Sequence, residues 1–473
     1  MRKIVLITGL IVFTCEIVWA QQIYTLEMCR DTALKYNRAA AIAGHTENKA
    51  KYGEQAYFAN FLPNFSASGN YIYTNTKFNQ RIESAYLPTF VPDLATGQLM
   101  PNVMLLPDGQ PIIGPDGNPV FNQYAYFPGM DLGLRLSGTY FAGVGVEQPF
   151  FMGGKIMSAY KMAQIGRNMA ALNSNLTRVE IVVKIDEAYW MHLKALESKK
   201  VALAFKEMVA QLLHNIQDAE ISGMKMHNDR LKVQVQMNRA ELQLQKADNA
   251  IRLSRMNLCQ IMGLPTSTEI VLPADFPVEK NIVGVSDEQD ATSRIEYSLL
   301  EKQVELKSHE IRLVRSDFLP KIGVSANYGY MHGLSLNGTP LIDKASFSAL
   351  LSVKIPIFHW GEGKNKIRVA KAEKQIAELQ RDELSEKMNM EIQQTLNKLN
   401  ESQTEMEMNM LALEQANENL RIVRDRYEVG MESLAEYLEA QTLWQQASLD
   451  LIESKIARRL NGTYYLKATG QLK

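Results

Sequence analysis

Residues Gly361 to Gln441 read GEGKNKIRVAKAEKQIAELQRDELSEKMNMEIQQTLNKLNESQTEMEMNMLALEQANENLRIVRDRYEVGMESLAEYLEAQ. From Lys364 to Tyr427 there is neither proline nor glycine, the two residues that most readily break a helix. Apolar side chains recur at Val369, Ala372, Ile376 and Leu379, then at Met406, Met410, Leu413, Leu420, Val423 and Tyr427. That three-four alternation predicts a coiled-coil seam. Gly430 ends it and a returning helix follows. Roughly 65 helical residues span on the order of 100 Å, longer than an ordinary globular domain. The stretch from Gly153 to Gln234 has the same plan, with a seam at Val182, Ile185, Tyr189, Phe205, Val209, Leu212 and Ile216 and a turn at Gly223.

The match between the two stretches is part of a repeat that covers the chain. Phe61-Leu62-Pro63-Asn64-Phe65 is echoed 257 residues on by Phe318-Leu319-Pro320-Lys321-Ile322. Beyond that point the offset is 207 residues: Pro149-Phe150-Phe151 with Pro356-Ile357-Phe358, Gly223-Met224 with Gly430-Met431, and Leu231 and Gln234 with Leu438 and Gln441. The first copy therefore carries about fifty more residues before its helical hairpin. Each copy reads helix, strand, strand, helix, turn, helix. The predicted division is 21–287 for the first repeat and 288–473 for the second.

Between the helices lie four stretches of period two, at about 64–74, 132–148, 321–331 and 345–356. Phe65, Ala67, Gly69 and Tyr71 oppose Asn64, Ser66, Ser68 and Asn70; Leu134, Tyr140, Ala142, Val144 and Val146 oppose Arg135, Thr139, Gly143 and Glu147. In the second copy Ile322, Val324, Ala326 and Tyr328 oppose Lys321, Gly323, Ser325 and Asn327, and Phe347, Ala349, Leu351 and Val353 oppose Ser346, Ser348, Ser352 and Lys354. A half-buried sheet on a core alternates in this way, and so does an outer-membrane barrel. The extra residues of the first copy, Asn75 to Met130, are dense in proline, glycine and aspartate and read as an extended loop.

The amino terminus shows where the chain goes. Arg2 and Lys3 precede an apolar run from Ile4 to Phe13 and the small-residue end Val18-Trp19-Ala20, which makes 1–20 a secretory signal peptide. Cys15 stands at the distance of a lipidation cysteine, but Val12-Phe13-Thr14 is a poor lipobox. No later apolar run reaches the ~20 residues of a transmembrane helix. With a net charge of −1 and no basic block, nothing points to nucleic acid. Cys29 and Cys259 alone remain after the leader, so a disulfide scaffold is excluded; they read as unpaired thiols in apolar seams, with one bond open as the alternative.

The leader, the Phe-Leu-Pro entry to each strand pair, the Pro-x-Phe exits, the duplicated hairpins and the run from Arg426 to Gln441 together resemble the TolC-type outer-membrane efflux family. The resemblance covers essentially the whole mature chain. It implies a mixed α and β membrane protein: a homotrimer in which four strands per chain close a twelve-stranded barrel in the outer-membrane lipid, continued by a long periplasmic α-helical barrel. It also implies a passive exit duct for drugs, small molecules or proteins, docked to a periplasmic adaptor and indirectly to an inner-membrane pump.

Site residues follow from the same resemblance. Glu436 and Glu439, three apart on one helical face, match the acidic rings of the aperture. Tyr427 and Asp229 match the polar latch between helix pairs. The basic residue expected two positions after Gly430 is absent, because Glu432 stands there, and Lys225 at the equivalent place in the first tip is the candidate substitute. Gly223, Met224, Val429, Gly430 and Met431 form the tips that an adaptor would grip. For each of these, a solvated helix face or a plain turn is the ordinary alternative.

Other chemistry has little support. Gly153-Gly154-Lys155 and Gly361-Glu362-Gly363-Lys364 follow strands and open helices without completing a phosphate loop. The histidines show no metal-ligand spacing, no nucleophile constellation stands out, and neither an enzyme nor a cofactor is expected. The competing reading is a soluble periplasmic coiled-coil adaptor or scaffold, which would normally have one hairpin and no matched amphipathic strands.

Overall fold

The computed structural model describes residues 23–74, 77–94, 96–273 and 290–472. The predicted leader, 1–20, with Cys15, and the predicted repeat boundary at 287 lie outside them. The chain divides into a helical unit (up to Tyr57, Met157–Val314 and Glu362 onward) and a β unit (Phe58–Ile156 and Arg315–Gly361). These spatial units cut across the sequence repeats: each repeat contributes to both.

The helical unit contains α1 (Leu26–Tyr36), α2 (Arg38–Ala59, whose end passes into the β unit), α3 (Lys155–Ile221), α4 (His227–Met262), α5 (Ile295–Ser316), α6 (Glu362–Glu428) and α7 (Leu434–Ala468). The first helix of the repeat is interrupted between α1 and α2 at Asn37, whose side-chain carbonyl accepts from Ala39 N at 2.7 Å and so starts α2 afresh. Helices α3 and α6 are 67 residues each, about 100 Å of unbroken helix. Every predicted seam residue of α3 is buried: Val182, Ile185, Tyr189, Phe205, Val209, Leu212 and Ile216 are at most 3 % exposed. In α6 the rhythm is partnered toward the tip, where Leu420, Val423 and Tyr427 pack against the cluster shared by α3, α4 and α7, and is open in its first half. Val369, Ile376, Leu379 and Met410 are more than half exposed, and the buried positions are Ala370, Ala377, Ile392, Leu396 and Leu399. The seam reading of α6 thus holds within the chain at the tip end and is corrected for the first half, because α3 is flanked by α1, α4 and α7 whereas Val369, Ile376 and Leu379 of α6 join none of the apolar clusters among the described residues.

The two largest apolar clusters among the described residues tie the helices together. In one, Cys29 and Ala33 of α1 meet Ile185, Tyr189 and Leu193 of α3, Leu258 and Cys259 of α4, and Ile456 of α7. Both thiols are free and buried, and burial pushes Cys29 up to about 12, an inert thiol. Asp186, fully buried here, accepts from Arg30 Nε at 2.7 Å and from the Thr463 hydroxyl at 2.7 Å, so the charge is paired and hydrogen-bonded as burial requires. The other cluster joins Phe205, Val209, Leu212 and Ile216 of α3 to Val233 of α4 and to Leu434 and Tyr437 of α7.

The β unit contains β1 (Asn64–Ile72), β2 (Lys77–Ile82), β3 (Ala85–Pro88), β4 (Phe90–Pro92), β5 (Leu99–Pro101), β6 (Tyr124–Phe127), β7 (Met130–Met152), β8 (Lys321–Leu336) and β9 (Thr339–Lys354). The main sheet is antiparallel in the order β1-β7-β8-β9, and β2 pairs with β7 beyond β1, so four columns of strand are formed. β8 and β9 run past their predicted facing ends, 331 and 345, because they meet in a two-residue turn, Asn337-Gly338, with φ of 51° and 83°. Asn-Gly between apolar runs is the strongest short hairpin signal, and it accounts for the residues left unassigned between 331 and 345.

The predicted extended loop is corrected too. Beyond Glu83 it folds as a ladder in which β3 pairs β6 and β4 pairs β5, with isolated bridges Val103–Phe121, Leu105–Pro111 and Ile113–Pro119. The two Pro-Asp-Gly triplets are hairpin turns. Gly109 N bonds Leu106 O at 2.9 Å and Gly117 N bonds Gly114 O at 3.0 Å, with proline second and glycine fourth in each turn. Rings of Tyr86 and Tyr126 stack at 5.2 Å along the ladder.

Register sorts the main sheet into two faces. Phe65, Val146, Ala326 and Ala349 align across it, as do Ala67, Val144, Tyr328 and Phe347. On the opposite face Ser66, Gly145, Asn327 and Ser348 align. The apolar band stays open: Phe65 is 78 % and Phe347 69 % exposed. On the polar face the ring of Phe141 lies over Gly143 and Gly329, where a Cβ would meet ring carbon at about 3 Å.

Candidate functional site at the two helical tips

Both long helices end in the same way. Gly223 N bonds Glu220 O at 2.9 Å and Met224 N bonds Ala219 O at 2.8 Å; Gly430 N bonds Tyr427 O at 3.1 Å and Met431 N bonds Arg426 O at 2.9 Å. This is the Schellman pattern, with φ of 75° at Gly223 and 80° at Gly430. No atom crowds either Cβ position, so glycine is required by backbone conformation and not by space.

Past the turns the two copies diverge. Helix α7 opens on a capping box that the sequence reading passed over, Ser433-x-x-Glu436: Glu436 N bonds Ser433 Oγ at 3.2 Å and Ser433 N bonds the Glu436 carboxylate at 3.2 Å. Helix α4 starts at Met226 with no side-chain cap. Its tip is strapped instead by Glu220, which takes His227 Nδ1 at 2.8 Å and pairs with Arg230 at 2.7 Å. These hydrogen bonds and charges, His227 first, hold the Glu220 carboxyl below its usual range.

Lys225 and Tyr427 are brought together, the ammonium lying 4.8 Å from the ring centroid. Burial, then the charge of Asp229, raises the Tyr427 phenol. Asp229 itself pairs with Lys232 at 3.6 Å. Tyr427 also stacks on Tyr437 at 5.1 Å, a residue that sequence reasoning missed although its spacing from Leu434 marks it as core-facing. Glu439 is exposed on α7. Glu436 is exposed but engaged: besides its cap it hydrogen-bonds Glu432, so the Glu432 carboxyl is raised and that of Glu436 lowered. Arg426 lies 3.8 Å from Glu432. Around these polar groups the tips present Ile221, Met224, Met226, Val429 and Met431, each at least 68 % exposed.

The sequence profile of the outer membrane efflux proteins matches residues 30–264 and 299–461. The chain belongs to the outer membrane efflux protein family. It is 24% identical over 337 residues to protein CyaE of Bordetella pertussis, covering 66% of this chain and 69% of CyaE. Among solved structures it is similar to the outer membrane protein VceC of Vibrio cholerae (TM-score 0.69, 15% identity, 94% of this chain and 96% of that one). It is also similar to the MtrE outer membrane channel of Neisseria gonorrhoeae (TM-score 0.69, 17% identity, 95% and 89%). Membership makes the protein an outer-membrane efflux channel of the tripartite efflux or secretion type, extending into the periplasm. The soluble-adaptor alternative is set aside by the same match.

Proposed function

We propose that three copies of this chain share one barrel, in which four strand columns from each close a twelve-stranded wall. The observation that carries the reading is the main sheet: one face is an exposed apolar band, and among the described residues both edge columns lack strand partners. In hydrocarbon an unpaired edge costs several kcal/mol per unsatisfied backbone group, and closure removes it. The unpartnered stripe of α6, Val369, Ile376 and Leu379, supports the same assembly in the helical unit.

In this reading Glu436 and Glu439 form an acidic ring at a periplasmic constriction. Lys225, Tyr427 and Asp229 latch the two helix pairs, with Lys225 supplying the cation that Glu432 does not. The tips at Gly223-Met224 and Val429-Gly430-Met431 offer the apolar surface for a periplasmic adaptor, which links the duct to an inner-membrane pump. An adaptor that binds the open arrangement more tightly than the closed one would drive opening.

The test is assembly. Cysteine pairs placed across the edge columns β1 and β9 should crosslink chains into trimers in isolated outer membranes. Monomers alone, in membranes that hold the full-length chain, would sink the reading.

A further inference from the structure

The charges carried by the main sheet are sorted by face. Lys321, Lys344 and Lys354 lie on the face opposite the apolar band, by register and strand alternation, while Lys77, Arg81 and Arg135 lie beyond the register shifts at Gly138 and Gly333. On the near side of those shifts Glu147 is the one sheet carboxylate that shares the face. Asp343 is on the other, hydrogen-bonded by Tyr330 and His332. Three cations against one carboxylate leave a net of two positive charges on that face, in a chain whose total is −1, and beyond the shifts Lys77, Arg81 and Arg135 again outnumber the one sheet carboxylate, Asp131. Arg81 pairs with Asp131 at 3.9 Å and Lys321 with Asp317 at 3.3 Å.

Two of the placements are unfavourable for a sheet. Lys77 stands directly opposite Arg135 across β2 and β7, and Lys321 directly opposite Lys354 across β8 and β9. Like charges at directly paired positions destabilise the ladder. A solvated face would scatter its charges and avoid such pairs. Here they recur near both ends of the sheet, one pair beside β7 Leu134 and the other at the start of β8.

We infer that this face is a cationic inner wall and that the barrel section selects for anionic solutes. The inference rests on the barrel proposed above, in which the apolar band meets lipid and the polar face lines the lumen. Three copies would put about six net positive charges around one water-filled passage. Their spacing is within a few Debye lengths of about 8 Å at physiological salt, so their potentials overlap and enrich anions. The wall is opposite in sign to the acidic ring proposed for the tips. Cargo that passes both is expected to bear carboxylate, phosphate or sulfate groups, with the acidic constriction screened or opened during transport.

The experiment uses the full-length channel in planar bilayers under a potassium chloride gradient, in the Glu436→Gln and Glu439→Gln background so that the tip carboxylates do not set the selectivity. The reversal potential should lie on the anion-selective side. Lys321→Gln, Lys344→Gln and Lys354→Gln together should move it toward the potassium equilibrium potential. An unchanged reversal potential overturns the inference while leaving the channel intact. Absence of any conductance instead strikes the channel reading itself. A second measurement needs no barrel variant: tripolyphosphate added to the outer face should reduce the current at low millimolar concentration, and lack of any block overturns the inference even where the triple variant fails to assemble.

Discussion

Glu436 and Glu439 differ in what their surroundings leave free. Glu439 is exposed, whereas Glu436 closes a capping box with Ser433 and shares a hydrogen bond with Glu432. Glutamine fills the same place in a capping box, so Glu436→Gln removes charge while keeping the helix start. The double variant Glu436→Gln, Glu439→Gln should therefore assemble normally and require a several-fold higher concentration of a polyvalent cation for half-block in single-channel recordings. Block at the wild-type concentration would remove these carboxylates from the proposed ring. At the latch, Tyr427→Phe keeps the ring over which Lys225 sits but loses the hydroxyl, and Lys225→Gln loses the cation. If the latch holds the closed state, closed-state conductance should rise more in Lys225→Gln than in Tyr427→Phe; the reverse order would assign the latch to the phenol and Asp229.

At the scale of elements, the helices are tied by a few buried polar groups. His192 on α3 is 1 % exposed, its Nδ1 lies 2.9 Å from the hydroxyl of Ser254 on α4, and burial with the nearby Arg255 lowers it from 6.5 to about 4. Between pH 6.5 and 4 the unfolded chain takes up this proton and the folded chain does not. Stability is therefore complete above about pH 6.5, falls as the pH drops across that window, and levels off below it. The full effect is on the order of 3 kcal/mol. The thermal midpoint of the wild type should fall more steeply from pH 6.5 to 4 than that of His192→Asn; parallel curves would show that another group carries the acid sensitivity. The tips obey a different constraint. Gly430→Ala must place a Cβ at φ of 80°, a strain of about 1 kcal/mol that falls on the turn and not on packing.

At the scale of the whole molecule, the fifty extra residues of the first repeat make an ordered ladder. The turns at Pro107-Asp108-Gly109 and Pro115-Asp116-Gly117 are closed by their own hydrogen bonds and are exposed. In the proposed barrel they lie on the outer side of the membrane. An epitope inserted after Gly117 should be detected on intact cells without loss of assembled protein. A tag accessible only after the outer membrane is permeabilised would reverse the assigned topology.

Much of this architecture is local in origin and could be read before any coordinates. A proline-free run of heptads can only be a long helix, a period of two can only be a strand with two unlike faces, and Gly223 and Gly430 stop the helices because glycine alone adopts positive φ without cost. The repeat, the four strand columns and the membership of the family rest on such signals. Two local signals, Asn337-Gly338 and Ser433-x-x-Glu436, were equally present and were not used. What the tertiary structure decided is pairing. Val182 and Val369 carry the same seam pattern, yet the first is buried against Leu34 of α1 and Tyr464 and Leu466 of α7 while the second is exposed, because periodicity specifies a face and not its partner. Likewise, nothing in the spacing of Lys225 and Tyr427, some two hundred residues apart, places one over the other. Only the packing of Phe205, Val233 and Tyr437 between the two hairpins brings their tips within reach.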